Sequence, residues 1–289
     1  MSGETKKNMA ASVHQRLLNI SRERKDDFNR ICIRYAAERL LYRLSVSEYS
    51  DRFILKGAML FAVWSDSLHR TTRDIDFLAY GNPNPDHVRS QFESICDLSV
   101  PDDGLRYETQ SIQIQTIREP DNYGGFRVRM NAYMGHVQIP VQIDIGFGDV
   151  VTPEAQTIDY PTILDLPAPR LKAYPPETVI AEKFHTLVKL GMANSRMKDF
   201  YDLYVMSRFY EFRLDILSKA IRATFKRRNT EIPDALPLAL TMKFAEDKDK
   251  SKQWRSFLDK YNLHDTPEDF GLVIGHLREF FVKVISFKP

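Results

Sequence analysis

Five prolines fall within the sixteen residues from Pro161 to Pro176, and the hydrophobic pattern changes character across them. Upstream, short runs alternate apolar and polar residues, the two-residue period of a half-buried strand. Asp74 to Tyr80 is one such run, closed by Gly81-Asn82-Pro83; Ser111 to Ile117, Phe126 to Tyr133 and Val137 to Ile145 are others. Asn122-Tyr123-Gly124-Gly125 and Met134-Gly135-His136 are expected to be hairpin turns. Downstream, apolar residues recur at three and four, with helices expected over 176–191, 197–210, 214–228, 234–245, 251–261 and 268–285. Two more are expected near the start, around Val13 to Ile20 and from Asp26-Asp27 to Leu44. Phe53 to Gly57 then breaks the helical pattern ahead of a short buried helix, Ala58 to Trp64. The pattern implies an α+β chain: a mixed β-sheet domain with flanking helices over 1–170, then an α-helical domain over 171–289, joined near Asp165 to Tyr174.

Composition removes whole classes of function. The chain has 289 residues with a formal net charge of +2, so a nucleic-acid partner would have to be held by local clusters of Lys and Arg. Cys32 and Cys96 sit in apolar surroundings without metal-ligand spacing, which argues against a disulfide framework or a zinc site. No run approaches the ~20 apolar residues of a membrane span, and Met1 to Ala11 lacks the apolar stretch of a signal peptide. A soluble, cytoplasmic protein is expected. The seven histidines are scattered, and neither a Gly-x-Ser-x-Gly elbow nor a Walker-type loop occurs.

The chemistry is carried by acids. Asp74 and Asp76 flank Ile75 on a strand, so both project from one face roughly 6.5 Å apart along the chain while Ile75 points to the other. Two acids so placed repel unless a cation lies between them. Asp144, between Ile143 and Ile145 on another expected strand, is a third candidate. Three carboxylates on adjacent strands suit two Mg²⁺ ions about 3.5–4 Å apart, the arrangement used for in-line nucleotidyl transfer. Taken alone, an Asp-x-Asp is more often a solvated strand end. Upstream, Lys56-Gly57-Ala58 lies between a strand and a helix, where glycine lets backbone N–H groups approach a phosphate.

Gly57-Ala58, then Asp74-x-Asp76, then Asp144 between isoleucines resembles the signature of the polymerase-β-type nucleotidyltransferase superfamily. In the second half, Pro176-Glu177-Thr178-Val179-Ile180-Ala181-Glu182-Lys183, followed by Arg196-Met197-Lys198-Asp199-Phe200-Tyr201-Asp202-Leu203-Tyr204, resembles the AbiEii/AbiGii toxin-like branch, and the likeness covers about residues 10 to 260. Ala58 departs from the superfamily, where the residue after the glycine is often Ser or Gly, so a hydroxyl that could hold triphosphate is missing.

Lys183 shares a helix face with Val179, Ile180 and Leu187, an expensive place for an ammonium unless it meets an anion such as a triphosphate; snorkelling past the core edge is the structural alternative. Asp199 could pair with Lys183, orient it, or assist proton removal. Asp202 could equally form a buried ion pair with Arg196 or Lys198. Arg73 could clamp phosphate or simply be solvated. Arg127 and Arg129 alternate on one strand, and Lys226-Arg227-Arg228 form a basic cluster that could position RNA.

The resemblance implies a Mg²⁺-dependent nucleotidyltransferase acting as the toxin of a toxin–antitoxin or phage-defence pair, moving nucleotides from NTP to RNA, plausibly the tRNA acceptor end. It implies Asp74, Asp76 and Asp144 as metal ligands; Lys56, Gly57, Ala58, Arg73 and Lys183 as the nucleotide site; Lys183 and Asp199 as further catalytic residues; and a cognate antitoxin. Transfer to a protein side chain and a catalytically silent, partner-binding role are the alternatives.

Overall fold

The computed structural model describes residues 8–64, 72–81, 83–117 and 124–287. The expected turn residues Asn82, Asn122 and Tyr123 lie outside these, as do the segment before Asn8 and His69. The chain forms two compact units, one of residues 1–148 with 156–173, the other of 149–155 with 174–289.

The first unit opens with α1 (Met9–Arg24), longer at both ends than the Val13–Ile20 core because Asn8 caps it and Lys25 turns left-handed after it. Asp27 caps α2 (Phe28–Ser45), accepting from the Arg30 amide. Strand β1 (Phe53–Lys56) passes through a 3₁₀ turn (Gly57–Leu60) into the single-turn α3 (Phe61–Trp64). After β2 (Asp74–Ala79) comes α4 (Pro85–Cys96), which the expected helices did not include although Val88, Phe92, Ile95 and Cys96 recur at helical spacing. Its start is marked as well: Asn84 accepts from the Asp86 and His87 amides, and Pro85 occupies the first helical position. Strands β3 (Arg106–Ile117), β4 (Gly125–Met134), β5 (Val137–Phe147), β6 (Gln156–Asp159) and β7 (Arg170–Ala173) complete a seven-stranded mixed sheet of order β3-β4-β5-β2-β1-β7-β6.

Strands β6 and β7 carry the sheet unit through most of the proline-rich stretch, as far as Ala173, after which the helical unit resumes at Tyr174. Leu55 pairs with Ala173, placing β7 beside β1, and α2 ties down the intervening loop: Arg39 donates to the Pro167 carbonyl and the Ile163 amide donates to Glu38. The strands are four residues each, and the neighbouring prolines hid their alternation.

The sheet buries Ile75, Phe77, Val128, Met130, Ile143 and Ile145, with α2 packed on β5 and α4 on β3. Below these helices, Arg43 and Arg39 close on the buried Asp103 at 2.6 and 3.2 Å.

The second unit is helical: α5 (Pro176–Leu190), α6 (Met197–Phe209), α7 (Leu214–Arg227), α8 (Met242–Ala245), α9 (Lys248–Tyr261) and α10 (Phe270–Ser286). Aromatic rings fill its core, with Phe184 stacked on Phe281 at 4.1 Å and Trp254 on Phe270 at 4.9 Å. The helix expected over 234–245 is reduced to a 3₁₀ turn (Leu238–Leu240) and α8, because Pro237 precedes the first and Thr241 caps the second. Among the described residues, no helix is long and apolar enough to cross a membrane.

Candidate active site

Strand register builds the site. In β2 and β5, parallel neighbours, Asp76 stands opposite Asp144 and Asp74 opposite Gln142. In β4, Arg127 stands opposite Asp144 and Arg129 opposite Gln142; in β3, Gln115 and Gln113 continue the two rows. On the other side, Lys56 of β1 pairs with Asp76. Because strand side chains alternate, these residues share one face, while Ile75, Ile143 and Val128 between them are fully buried on the other. The sheet thus presents two polar rows: Lys56, Asp76, Asp144, Arg127, Gln115, and beside it Asp74, Gln142, Arg129, Gln113.

The carboxylates in these rows are already engaged. Arg127 grips Asp144 with both ends of its fork, Nε to Oδ1 at 2.8 Å and Nη2 to Oδ2 at 2.7 Å. Those hydrogen bonds, backed by the negative charges of Asp144, Asp74 and Asp76, push the guanidinium pKa above its ordinary value. Gln142 donates to Asp74 Oδ1 at 2.9 Å. Among the described residues no three His, Cys, Asp or Glu side chains converge as a finished metal site. The donor set still fits Mg²⁺, a hard cation that takes carboxylate oxygens, provided Arg127 yields Asp144.

Gly57 has a reason beyond the one the sequence suggested. Its φ is +76°, and a Cβ built there would lie 2.0 Å from Asp76 Oδ2. Only glycine permits both that backbone conformation and the approach of the Asp76 carboxylate. Lys56 reaches along the same region, its Nζ 3.9 Å from where a Gly146 Cβ would stand. Ala58 is buried in the 3₁₀ turn, and the exposed Arg73 lies directly before Asp74.

In the helical unit, Lys183 of α5 donates to Asp199 at 2.7 Å and lies 2.9 Å from Asp202, both on α6 and both buried. Arg196 donates to the second Asp199 oxygen at 2.6 Å. Burial pushes the Asp199 carboxyl up, but the charges and hydrogen bonds of Lys183 and Arg196 outweigh it and hold the acid well below the usual carboxylate range. The expected Lys183–Asp199 pair is present. Asp202 meets Lys183, a partner that spacing did not suggest for it, and Arg196 goes to Asp199. Deeper in this unit, Arg228 joins Asp149 at 3.1 Å and touches His185, whose pKa burial and the Arg228 charge pull down to about 4.

Sequence reasoning put Arg127 and Arg129 on one strand face but not against the acids, and it passed over Gln142 and Gln113. The signal was there: Gln142-x-Asp144 repeats the Asp74-x-Asp76 spacing, and Gln113-x-Gln115 mirrors Arg127-x-Arg129.

A family model described as nucleotidyl transferase AbiEii toxin, type IV TA system, matches residues 39–275. No curated protein matches the chain. Among solved structures, it is similar to a candidate nucleotidyltransferase from Helicobacter pylori, with a TM-score of 0.48 and 17% identity over 87% of this chain and 94% of that one. It is also similar to JHP933 from Helicobacter pylori, with a TM-score of 0.45 and 17% identity over 86% of this chain and 90% of that one.

Proposed function

The chain belongs to the AbiEii family of nucleotidyltransferase toxins of type IV toxin–antitoxin systems, and from that premise we propose that it transfers a nucleotide from an NTP to the 3′ end of an RNA, the tRNA acceptor end being the expected target. As a member, it is a nucleotidyltransferase enzyme with an antitoxin partner. The observation that carries the reading is the register of β2 and β5, which sets Asp74, Asp76 and Asp144 on one face with Gly57 shaped around the Asp76 carboxylate.

In this reading Asp74, Asp76 and Asp144 hold Mg²⁺, which when bound supplies positive charge to offset that of the transferring phosphoryl group. Arg127 keeps Asp144 compensated until then, and on release its guanidinium is a ready donor to phosphate. Lys56, next to Asp76, serves the triphosphate, as do the Gly57 and Ala58 amides and Arg73. Asp144 takes the proton of the attacking hydroxyl at a carboxylate oxygen. For Lys183, whose ammonium Asp199 orients, the phosphate role is the one that the family resemblance implies. Lys226 and Arg227, which close α7, are assigned to the RNA backbone, whereas the Arg228 guanidinium is engaged by Asp149.

The test is to incubate purified protein with Mg²⁺, each α-labelled NTP in turn, and total tRNA, then separate RNA from protein. Label on RNA is the expected result and names the nucleotide. Label on protein would transfer the reading to side-chain modification. Label nowhere, from folded protein free of its antitoxin, would overturn it.

A further inference from the structure

A cavity of about 370 Å³ opens on the sheet unit next to Asp74, lined by Gln142, Arg129, Gln113, Asn131 and Ser111 from β5, β4 and β3. Its volume suits one nucleotide-sized guest. Arg73 lines both this cavity and a second one of about 530 Å³, so the two are neighbours. Asp74 is the one acid among the described residues lining the smaller cavity, and it sits at the catalytic end.

The lining chemistry is specific. Gln113, Asn131 and Gln142 each present a carboxamide, a donor and an acceptor side by side, which is what the edge of an unpaired base requires. Arg129 is exposed, and its contacts are long: Nε to Gln142 Oε1 at 3.2 Å and Nη1 to Gln115 Oε1 at 3.5 Å. A ligand displacing them gives up little, and a guanidinium can then meet a phosphate or lie flat on a base.

Position decides which nucleotide sits here. In-line transfer puts the attacking oxygen and the leaving pyrophosphate on opposite sides of the α-phosphorus. Lys56, the cation assigned to the triphosphate, flanks Asp76 on the β1 side, whereas the cavity flanks Asp74 on the β5–β4–β3 side. We infer that this cavity seats the unpaired 3′-terminal nucleotide of the acceptor RNA, with Gln113 and Asn131 on its base edge and Arg129 on its phosphate or base plane. The inference rests on the function proposed above and specifies its acceptor subsite. In the step so arranged, the terminal 3′-oxygen bonds to the α-phosphorus, the α–β anhydride bond breaks, pyrophosphate leaves, and the hydroxyl proton passes to a carboxylate of the site.

The experiment pairs wild type with Arg129→Ala/Gln113→Ala, two exposed positions whose loss should leave the melting temperature unchanged. Each protein is given a short single-stranded RNA with an intact 3′-terminal nucleotide and the same RNA with that base removed. Transfer kinetics are read together with binding of the fluorescein-labelled RNAs in the absence of NTP. In wild type the abasic end should bind roughly tenfold more weakly. The double variant should raise KM and Kd for intact RNA by a similar factor, leave KM for NTP unchanged, and no longer distinguish the two ends. Transfer to RNA by wild type, with the variant showing wild-type KM and the same abasic penalty, overturns this seat alone. Label on protein only, or nowhere, overturns the seat and the RNA reading together.

Discussion

The molecule carries two clusters of aspartates, and they are built on opposite principles. Asp74, Asp76 and Asp144 lie half-exposed on strands, where register fixes their common face, and their partners include a neutral amide, Gln142, and the partly exposed Arg127. Asp199 and Asp202 are buried on one helix and closed from within by Lys183, with Arg196 added on Asp199. The second cluster sets two buried acids against the largely buried Lys183 and the half-exposed Arg196. The first holds three acids and draws its remaining compensation from groups that solvent or a ligand can exchange. Ion pairs of such partial exposure contribute little to stability, whereas breaking a buried pair strands an uncompensated charge. Open acids of this kind suit chemistry; closed ones suit architecture, or the holding of one ammonium in a single place.

That contrast can be broken by substitution. Asp74→Ala is expected to lower nucleotide transfer at least a hundredfold, while its melting temperature stays at or above the wild-type value because a like charge has gone. A calorimetric scan beside the transfer assay checks both halves. Asp202→Ala should do the reverse first, lowering the melting temperature by roughly 10 °C, since removing one partner of a buried pair costs about 3–5 kcal/mol. If the two variants melt alike, the open and closed distinction is wrong.

A third acid sharpens the comparison. Glu38 is buried, and among the described residues its Oε1 has no hydrogen-bond partner, while Oε2 accepts from the Ile163 amide. Burial raises its pKa from 4.5 to about 7, against the lowering effect of that amide and of Arg39. The folded state therefore keeps a proton that the unfolded chain has lost, and stability contributed by this group falls as pH rises from 4.5 to 7, by about 3 kcal/mol across the window. Denaturant titrations at several pH values should show that slope in wild type and a flatter one in Glu38→Gln.

The smallest effect is expected at Arg127. Arg127→Ala should change stability by less than about 1 kcal/mol. It should also leave Asp144 more open to cation, shifting the Mg²⁺ concentration that half-saturates binding downward by a few-fold. Isothermal titration with Mg²⁺ reads this directly, and an unchanged midpoint would show that the guanidinium does not compete with the ion.

These particulars also explain what the sequence disclosed. Asp-x-Asp and the isoleucine-framed Asp144 were legible because a strand's period of two fixes which side chains share a face. The partnership of Arg127 with Asp144 was not, since it depends on β4 pairing with β5 in one register, a contact made across seventeen residues of chain. The same limit hid β7, whose four residues gain their place only from β1. Helix α4 was missed although its signals are all local, an apolar stripe of Val88, Phe92, Ile95 and Cys96 and a start marked by Asn84 and Pro85. Gly57 stood out in the sequence as a backbone able to approach a phosphate, but its crowding by Asp76 exists only in the folded chain. A Lys183–Asp199 pair was one of the arrangements readable from helical stripes; the contacts of Arg196 with Asp199 and of Lys183 with Asp202 were not, because several spacings fit a helix.

The central claim is that the open trio is where divalent cations act. The measurement that meets it most directly is thermal melting of wild type and Asp74→Ala over rising Mg²⁺, with and without NTP. A ligand that binds only the folded state raises stability by RT ln(1 + [L]/Kd), about 2.7 kcal/mol at a hundredfold excess over Kd. The account predicts a rise that grows with Mg²⁺ and NTP in wild type and is absent in Asp74→Ala. An equal rise in both proteins would contradict it and place cation binding elsewhere in the chain.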